Sequence, residues 1–443
     1  MILSSTQRFS RYCAILGYVV LSLLAAAILL ELVSWLALSA YGRIRSGTYR
    51  DPAASPAYAA DFSAREFWNE ESVRQNLHKT FTPFSIWSIP QWHSKYINND
   101  ETETGVLRRT ANPTGKTCAT KNSVNVWVFG GSTVYGTGVP DLATLPSYLS
   151  RQLNSVGRDC KIVSNFGVEG YVSNQELIVL LEQLKTHRPE IVVFYDGIND
   201  AGTGEDLNKP PLPYYDFQTI KDRVEGSIRG RFDFVKSSHA FRLAAMLGRA
   251  VRGKSPSTAQ VAQRRAKAGA VLDNYEGNLR LARALGAAYG FETYAFWQPS
   301  LYYGRKPLVP FEQNELSVSD RSPAIIASYE EAESRAAQCG CFVFLGDVFD
   351  SIKEPLYLDV AHLGPRGNEL AAQAVAKYIE DQLLASTVSI VRPQASKILP
   401  ALRRTRSSDG STYLWMGRKA GESLWRPPRM FLLPSRSRSR CSG

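Results

Sequence analysis

The chain has 443 residues, 44% of them hydrophobic, which is enough for one large or two modest domains with a substantial core. A formal charge of +11 would point to a nucleic-acid partner, but twelve basic and two acidic residues lie between Val391 and Gly443, leaving about +1 on the rest of the chain. Six cysteines are too few for a disulfide scaffold, and Cys339-Gly340-Cys341 lacks the second Cys or His pair that a zinc site needs, so no metal is expected.

Residues 1–12 are polar and carry Arg8 and Arg11. An uncharged, mostly apolar run from Cys13 to Leu30 follows and continues past Glu31 through Val33-Ser34-Trp35-Leu36-Ala37-Leu38. Roughly 20 helical residues cross a hydrocarbon core of about 30 Å, so residues 1–41 read as an N-terminal membrane anchor, with residues 13–40 in contact with lipid. A cleaved signal peptide is the rival reading. Its apolar region usually runs to about 7–15 residues, and the small-residue site here is a weak Ala37-Leu38-Ser39. A buried soluble helix is the third reading. Arg43, Arg45 and Arg50 balance Arg8 and Arg11, so the charges do not orient a span.

Residues 42–122 form a lead-in, with Pro52 to Pro56 as linker. The aromatics of Phe81-Thr82-Pro83-Phe84-Ser85-Ile86-Trp87 and Trp92 suggest a segment laid against a domain, but the periodicity is too poor to name elements.

From Val124 the pattern alternates. Apolar, β-branched runs predict strands at Val124–Phe129, Lys161–Ser164, Ile191–Tyr195, Glu292–Trp297 and Cys341–Leu345. Helical periodicity predicts Leu145–Leu153, Asn174–Lys185, Ala262–Tyr289, Ala324–Gln338 and Gly367–Leu384 between and after them. Repeated βα units with short apolar strands argue for a three-layer α/β/α sandwich over residues 123–385, built on a five-stranded parallel sheet. Residues 201–260 break the rhythm with Lys209-Pro210-Pro211-Leu212-Pro213 and read as an insertion on the rim. Residues 386–443, rich in Ser, Arg and Pro, predict a disordered tail that is passive rather than a nucleic-acid or lipid binder.

In an open parallel sheet, ligands sit beyond the carboxyl ends of the strands, so the residues after each strand carry the function. The first strand ends in Gly130-Gly131-Ser132, a tight turn presenting a hydroxyl. Alone it reads equally well as an ordinary Gly-Ser turn. After the second strand comes Asn165-Phe166-Gly167-Val168-Glu169-Gly170-Tyr171, and after the third Asp196-Gly197-Ile198-Asn199-Asp200. After the fifth comes Asp359-Val360-Ala361-His362, and among five histidines His362 alone has an aspartate three residues earlier and follows the last strand. Acyl transfer through a serine needs a base for its proton, a group that orients the base, and donors for the oxyanion. This set supplies each. Asp196 and Asp200 read as solvated turn residues, and Gln298-Pro299 and Tyr302-Tyr303 as either the substrate mouth or ordinary loop packing.

Four such blocks in this order resemble the SGNH hydrolase superfamily, also called the GDSL-like esterases and lipases, in a divergent, membrane-anchored branch. The resemblance covers roughly residues 123–385. Its first block reads Gly-Gly-Ser-Thr where the family's namesake has Gly-Asp-Ser; that aspartate is not the triad acid, so Gly131 leaves the implied mechanism intact. By position, the resemblance implies Ser132 as nucleophile, His362 as general base and Asp359 as the residue that orients it. The backbone N–H groups of Ser132 and Gly170 and the Asn199 amide would form the oxyanion hole, with Gly167 as the alternative backbone donor. No cofactor is implied. The activity implied is a serine esterase acting through an acyl-enzyme, on O-acetyl groups of surface glycans, or an O-acetyltransferase with the same triad. A non-catalytic glycan-binding or assembly protein is the alternative from another class. The catalytic domain is expected outside the cytoplasm, periplasmic or extracellular, and no nucleic-acid partner is expected. A flavodoxin-like order would make strands one and two neighbours and a Cys118–Cys160 disulfide feasible; separately buried thiols are the favoured reading.

Overall fold

The computed structural model describes residues 5–46, 51–58, 63–113, 123–155, 160–207, 209–215, 217–225, 238–251, 258–319 and 322–391, with the short pieces 405–406 and 412–413. Two compact units divide it, Met1–Leu384 and Ala385–Gly443. In the second, Thr405–Arg406 pairs antiparallel with Thr412–Tyr413; the remainder of the basic tail, and with it the expectation of disorder, lies outside the described residues.

The first unit begins with one long helix, α1 (Ser5–Ser46), apolar on every side over Cys13–Tyr41 and largely exposed there. The lead-in then supplies α2 (Ala64–Gln75), the hairpin β1 (Thr80–Thr82) and β2 (Ile86–Ser88), and three short strands, β3 (Trp92–His93), β4 (Asn98–Thr102) and β5 (Gly105–Arg108). Five parallel strands follow: β6 (Val124–Gly130), β7 (Lys161–Gly167), β8 (Ile191–Asp196), β9 (Glu292–Trp297) and β10 (Val343–Phe344). Their order across the sheet is β10-β9-β8-β6-β7, the flavodoxin-like arrangement in which the first strand lies between the second and third.

Successive side chains on these strands point to opposite faces, and both faces are covered. Val126, Val128, Val193 and Phe296 pack on Leu145 and Leu149 of α4 (Leu145–Leu153) and on Val375 and Ile379 of the C-terminal helix Pro365–Val391. Trp127, Phe129, Phe194 and Trp297 face the other way, against Leu177 and Leu180 of α5 (Ser173–Gln183), Leu272 and Leu279 of the helix Thr258–Tyr289, and Tyr329 of Pro323–Cys339. Each such side chain contributes on the order of 1.5–3 kcal/mol when fully buried. The two half-cores are the reason the strands read as continuous apolar runs.

The sheet has eight strands rather than the expected five, because β5, β4 and β3 extend it antiparallel beyond β7. Asn98-Asn99-Asp100-Glu101-Thr102 has no apolar alternation, so nothing in its sequence marks a strand. Tertiary charge pairing holds it instead. Arg108, 1% exposed, donates from Nε to Asp141 Oδ1 at 2.6 Å and from Nη2 to the Val139 carbonyl at 2.9 Å, while Asp141 also accepts from the backbone and side chain of Asn98.

Between β8 and β9 the insertion leaves the sheet as α6 (Ile198–Gly202), α7 (Phe217–Val224) and α8 (His239–Val251), before α9 (Thr258–Tyr289) returns to it. After β9 come α10 (Pro310–Val318), α11 (Pro323–Cys339) and, following β10, α12 (Pro365–Val391). Cys339 and Cys341 are joined in a disulfide. Cys160 is also disulfide-bonded, to a partner outside the described residues, which corrects its reading as a free thiol; β6 and β7 are direct neighbours, the condition on which a bridge was feasible.

Arg108→Ala strands Asp141 in a buried site, and breaking one side of a buried pair typically costs about 3–5 kcal/mol. A matching fall in unfolding free energy by urea denaturation is the expected outcome, and a change below ~1 kcal/mol would show that the antiparallel extension is held by other contacts.

Candidate active site

Strand β6 ends at Gly130, and Ser132 opens the single-turn helix α3 (Ser132–Tyr135) at the carboxyl edge of the sheet. Gly131 at the turn meets a close approach: a Cβ there would fall 2.2 Å from Asn199 Nδ2. Ser132 Oγ lies 2.7 Å from His362 Nε2, and His362 Nδ1 lies 2.6 Å from Asp359 Oδ2. The other carboxylate oxygen of Asp359 accepts the N–H groups of Ala361 and His362, both at 2.8 Å. One aspartate thus fixes both the loop and the ring, and its acceptor at Nδ1 leaves Nε2 free to take a proton from the serine.

Charge arranges the acidities accordingly. Desolvation disfavours the imidazolium, but the charge and hydrogen bond of Asp359, with Glu169 and Glu71 further off, outweigh it and hold the His362 pKa above its ordinary 6.5. For Asp359, desolvation works toward a higher pKa, and the charge and hydrogen bonds of His362 with the two backbone donors bring it below the ordinary 3.8.

On the opposite side, Gly197, with φ of 145°, lets the chain turn from β8 into α6 and brings Asn199 toward Ser132. One hydrogen of Asn199 Nδ2 goes to the Tyr171 carbonyl at 2.7 Å, which leaves the second for the space beside Gly131 and Ser132. Of the two backbone donors left open by the sequence, Gly167 is occupied: its N–H donates to Asn165 Oδ1 at 2.9 Å, and a Cβ there would stand 2.1 Å from Tyr135 N. Gly170, at φ 80°, sits at the tip of the Val168–Tyr171 turn.

Asp196 and Asp200 are not solvated turn residues. Both are 3% exposed, and Asp200 Oδ1 accepts from the backbone and hydroxyl of Ser173, so it ties α5 to the turn carrying Asn199. Burial pushes the Asp200 pKa up to about 6, and burial with neighbouring carboxylates raises Asp196 and Glu176 well above their ordinary range. The local Asp-Gly-Ile-Asn-Asp sequence has turn chemistry, but the helices packed over it exclude water. Gln298 is 2% exposed and accepts from Thr133 Oγ1 at 2.9 Å, and Tyr303 donates to Glu333, so this stretch is loop packing behind the site.

The lead-in contributes a set of residues that the sequence did not reveal. Arg74, 3% exposed, spans Glu71 and Glu169 with two bonds to each, and Thr137 Oγ1 adds a third donor to the Glu169 carboxylate. Trp87 Nε1 and Lys79 Nζ donate to the Glu169 carbonyl at 3.1 and 3.2 Å, in the same peptide unit as the Gly170 N–H. Tyr58 donates to the Gly138 carbonyl and accepts from Trp68. On α10, Glu312 is fully buried and accepts the N–H groups of Leu356 and Tyr357 at the base of the Asp359 loop. Arg74 and Glu71 share one face of α2 by spacing alone, but nothing local announces that Glu169 completes them. Glu276 lies within 4.8 Å of the Cys339 and Cys341 sulfurs, which are spent on their disulfide rather than free to bind a metal.

No family model and no curated protein matches the chain. Among solved structures, it is similar to a member of the lipolytic protein G-D-S-L family from Veillonella parvula at 11% identity and TM-score 0.30, covering 56% of this chain and 94% of that one. It is similar to the acetyl xylan esterase AlAXEase at 12% identity and TM-score 0.34, covering 58% and 100%. An acetylxylan esterase catalytic mutant from Geobacillus stearothermophilus gives 13% identity and TM-score 0.33, covering 57% and 93%. Overlaps at these values carry no argument about residue roles, so the reading of the site stands on its own geometry.

Two outcomes follow from that geometry. A base must be unprotonated to accept a proton, so kcat/KM for an ester is expected to rise with pH through a limb whose midpoint lies above 6.5, and Asp359→Asn is expected to move that limb to lower pH while slowing turnover by up to about 10⁴-fold. A limb that stays in place would separate Asp359 from the titrating group. Gly131→Asp, which writes the namesake motif into the chain, is expected to lower kcat by roughly 10²–10³ by displacing the Asn199 amide, where a simple motif repair would raise it.

Proposed function

We propose that the chain is a membrane-anchored serine esterase of the SGNH type, acting through an acyl-enzyme. The continuous series Ser132 Oγ to His362 Nε2 at 2.7 Å, then His362 Nδ1 to Asp359 Oδ2 at 2.6 Å, carries this reading. Ser132 Oγ attacks the ester carbonyl carbon as its proton passes to His362 Nε2, and the imidazolium is stabilised by Asp359. The tetrahedral oxyanion is held by the N–H groups of Ser132 and Gly170 and by Asn199 Nδ2. Collapse expels the alcohol, which takes the proton from Nε2. A second nucleophile, deprotonated by the same nitrogen, then releases the acyl group and restores Ser132. If it is water the enzyme is an esterase, and if it is a sugar hydroxyl an O-acetyltransferase.

The substrate class we assign is O-acetyl groups of surface glycans, on the strength of the family resemblance. A binding or assembly protein has no need of a base, an orienting acid and a nucleophile in one hydrogen-bonded line. The apolar helix α1 supports the anchor. Disulfides at Cys160 and at Cys339–Cys341 support a catalytic domain in an oxidising compartment outside the cytoplasm.

A fluorophosphonate probe is expected to label the wild-type chain and not Ser132→Ala, and nitrophenyl acetate to be turned over faster than longer acyl esters. Asn199→Ala is expected to lose about 10²–10³ in kcat with an unchanged melting temperature. A folded wild-type chain that neither labels nor turns over any ester would sink the proposal.

A further inference from the structure

Helix α8 takes α1, not the sheet, as its principal packing partner. The contact centres on Glu31, the single charged residue between Tyr12 and Gly42. Glu31 Oε1 accepts from the His239 backbone at 2.6 Å and meets His239 Nδ1 at 2.8 Å, and Oε2 accepts from the Ala240 backbone at 3.1 Å. The first N–H groups of a helix have no intrahelical acceptors and carry partial positive charge, so a carboxylate there both caps α8 and fixes its start against α1.

The level of that clamp follows from length. The apolar run Cys13–Tyr41 rises about 43 Å as helix, more than the ~30 Å of a hydrocarbon core. A carboxylate within the core is costly, so the register that keeps Glu31 out of it puts Cys13–Leu30, about 27 Å, among the acyl chains. Glu31 therefore falls where acyl chains give way to headgroups, and α8 begins at that depth. Its composition suits it to stay there. His239–Val251 contains no acidic residue; Leu243 and Met246 are half-buried, while Phe241 and Leu247 are 47% and 54% exposed. Arg242 is exposed, the helix sequence also holds Arg249, and the flanking sequence adds Arg229, Arg231 and Lys236 against one acidic residue, Asp233, before the helix and Arg252 and Lys254 after it.

We propose that α8 lies in the headgroup layer of an anionic bilayer, with Phe241 and Leu247 at the acyl boundary and its basic residues among the phosphates, and that Glu31 holds it there. This rests on the reading of α1 as a membrane span. A basic amphipathic helix gains from apolar burial and from attraction to anionic lipid together. A second copy of the same helix would bring like charge against like, so lipid is the occupant that the charge favours.

The test uses the full chain in nanodiscs of phosphatidylcholine with phosphatidylglycerol. Nitroxides are placed singly at Phe241→Cys, at Leu247→Cys, at Leu21→Cys near the middle of the uncharged run and, as an exposed control on α9, at Leu281→Cys, all with Cys13→Ser and with whichever of Cys118 and Cys441 is not bonded to Cys160 also replaced by Ser. Labels at 241 and 247 are expected to favour oxygen over a polar nickel complex several-fold more than the label at 281. Arg242→Glu is expected to reduce that contrast in anionic discs and not in discs of phosphatidylcholine alone, and Glu31→Leu to reduce it in both. Water-like values at 241 and 247 with a lipid-like label at 21 overturn the proposal and leave the anchor standing. A water-like label at 21 overturns the anchor itself, and α8's placement with it. Spin–spin broadening at 247 that vanishes on mixing with an excess of unlabelled chain shows a second copy on this face and equally overturns the proposal.

Discussion

Glu169 is the point at which the lead-in and the sheet become one body. Its carboxylate is held by Arg74 and Thr137 and its carbonyl by Trp87 and Lys79. Burial works to raise its pKa, and the hydrogen bonds and charge of Arg74 outweigh that, so it stays ionised and the pair persists. An ion pair of this kind adds little net stability over an apolar contact, because desolvation offsets attraction. What it supplies is position. The next residue is Gly170; under the proposed mechanism its N–H must point at one place, and a glycine-tipped turn without external ties samples many.

The same logic repeats on the other flank. Asp359 makes three hydrogen bonds within its own loop, and Glu312 secures the base of that loop from a different helix. Asn199 is held by the Tyr171 carbonyl, and the segment behind it by Asp200 on Ser173. Each group facing the reaction space has a partner one step further back. Electrostatic stabilisation of a transition state works best with donors that need not reorganise, and these supports restrict reorganisation.

The parallel strands and the four loops after them were legible because their signals are local: β-branched runs, glycine turns, and an Asp-x-x-His spacing. Ser132, Asp359 and His362 come together as the order of the strands requires. Strands β3 to β5 were not legible, since Asn98 to Thr102 pairs through a buried arginine contributed by the next strand and an aspartate 43 residues beyond Asn98. Asp196 and Asp200 misled for the complementary reason. Their local sequence is that of a solvated turn, and only the helices stacked over them, a tertiary fact, remove the water. Cys160 likewise says nothing of its oxidation state until its neighbouring strand is known.

Four residues, 47–50, separate the end of α1 from Asp51, where the described part of the lead-in resumes, and fully extended they span at most about 18 Å. Since the lead-in is itself part of the sheet, there is little slack between α1 and Ser132. On the anchor reading, Ser132 patrols a thin shell above the bilayer and meets acyl groups by lateral encounter, so the density of substrate on the surface, rather than its concentration in solution, would govern the rate.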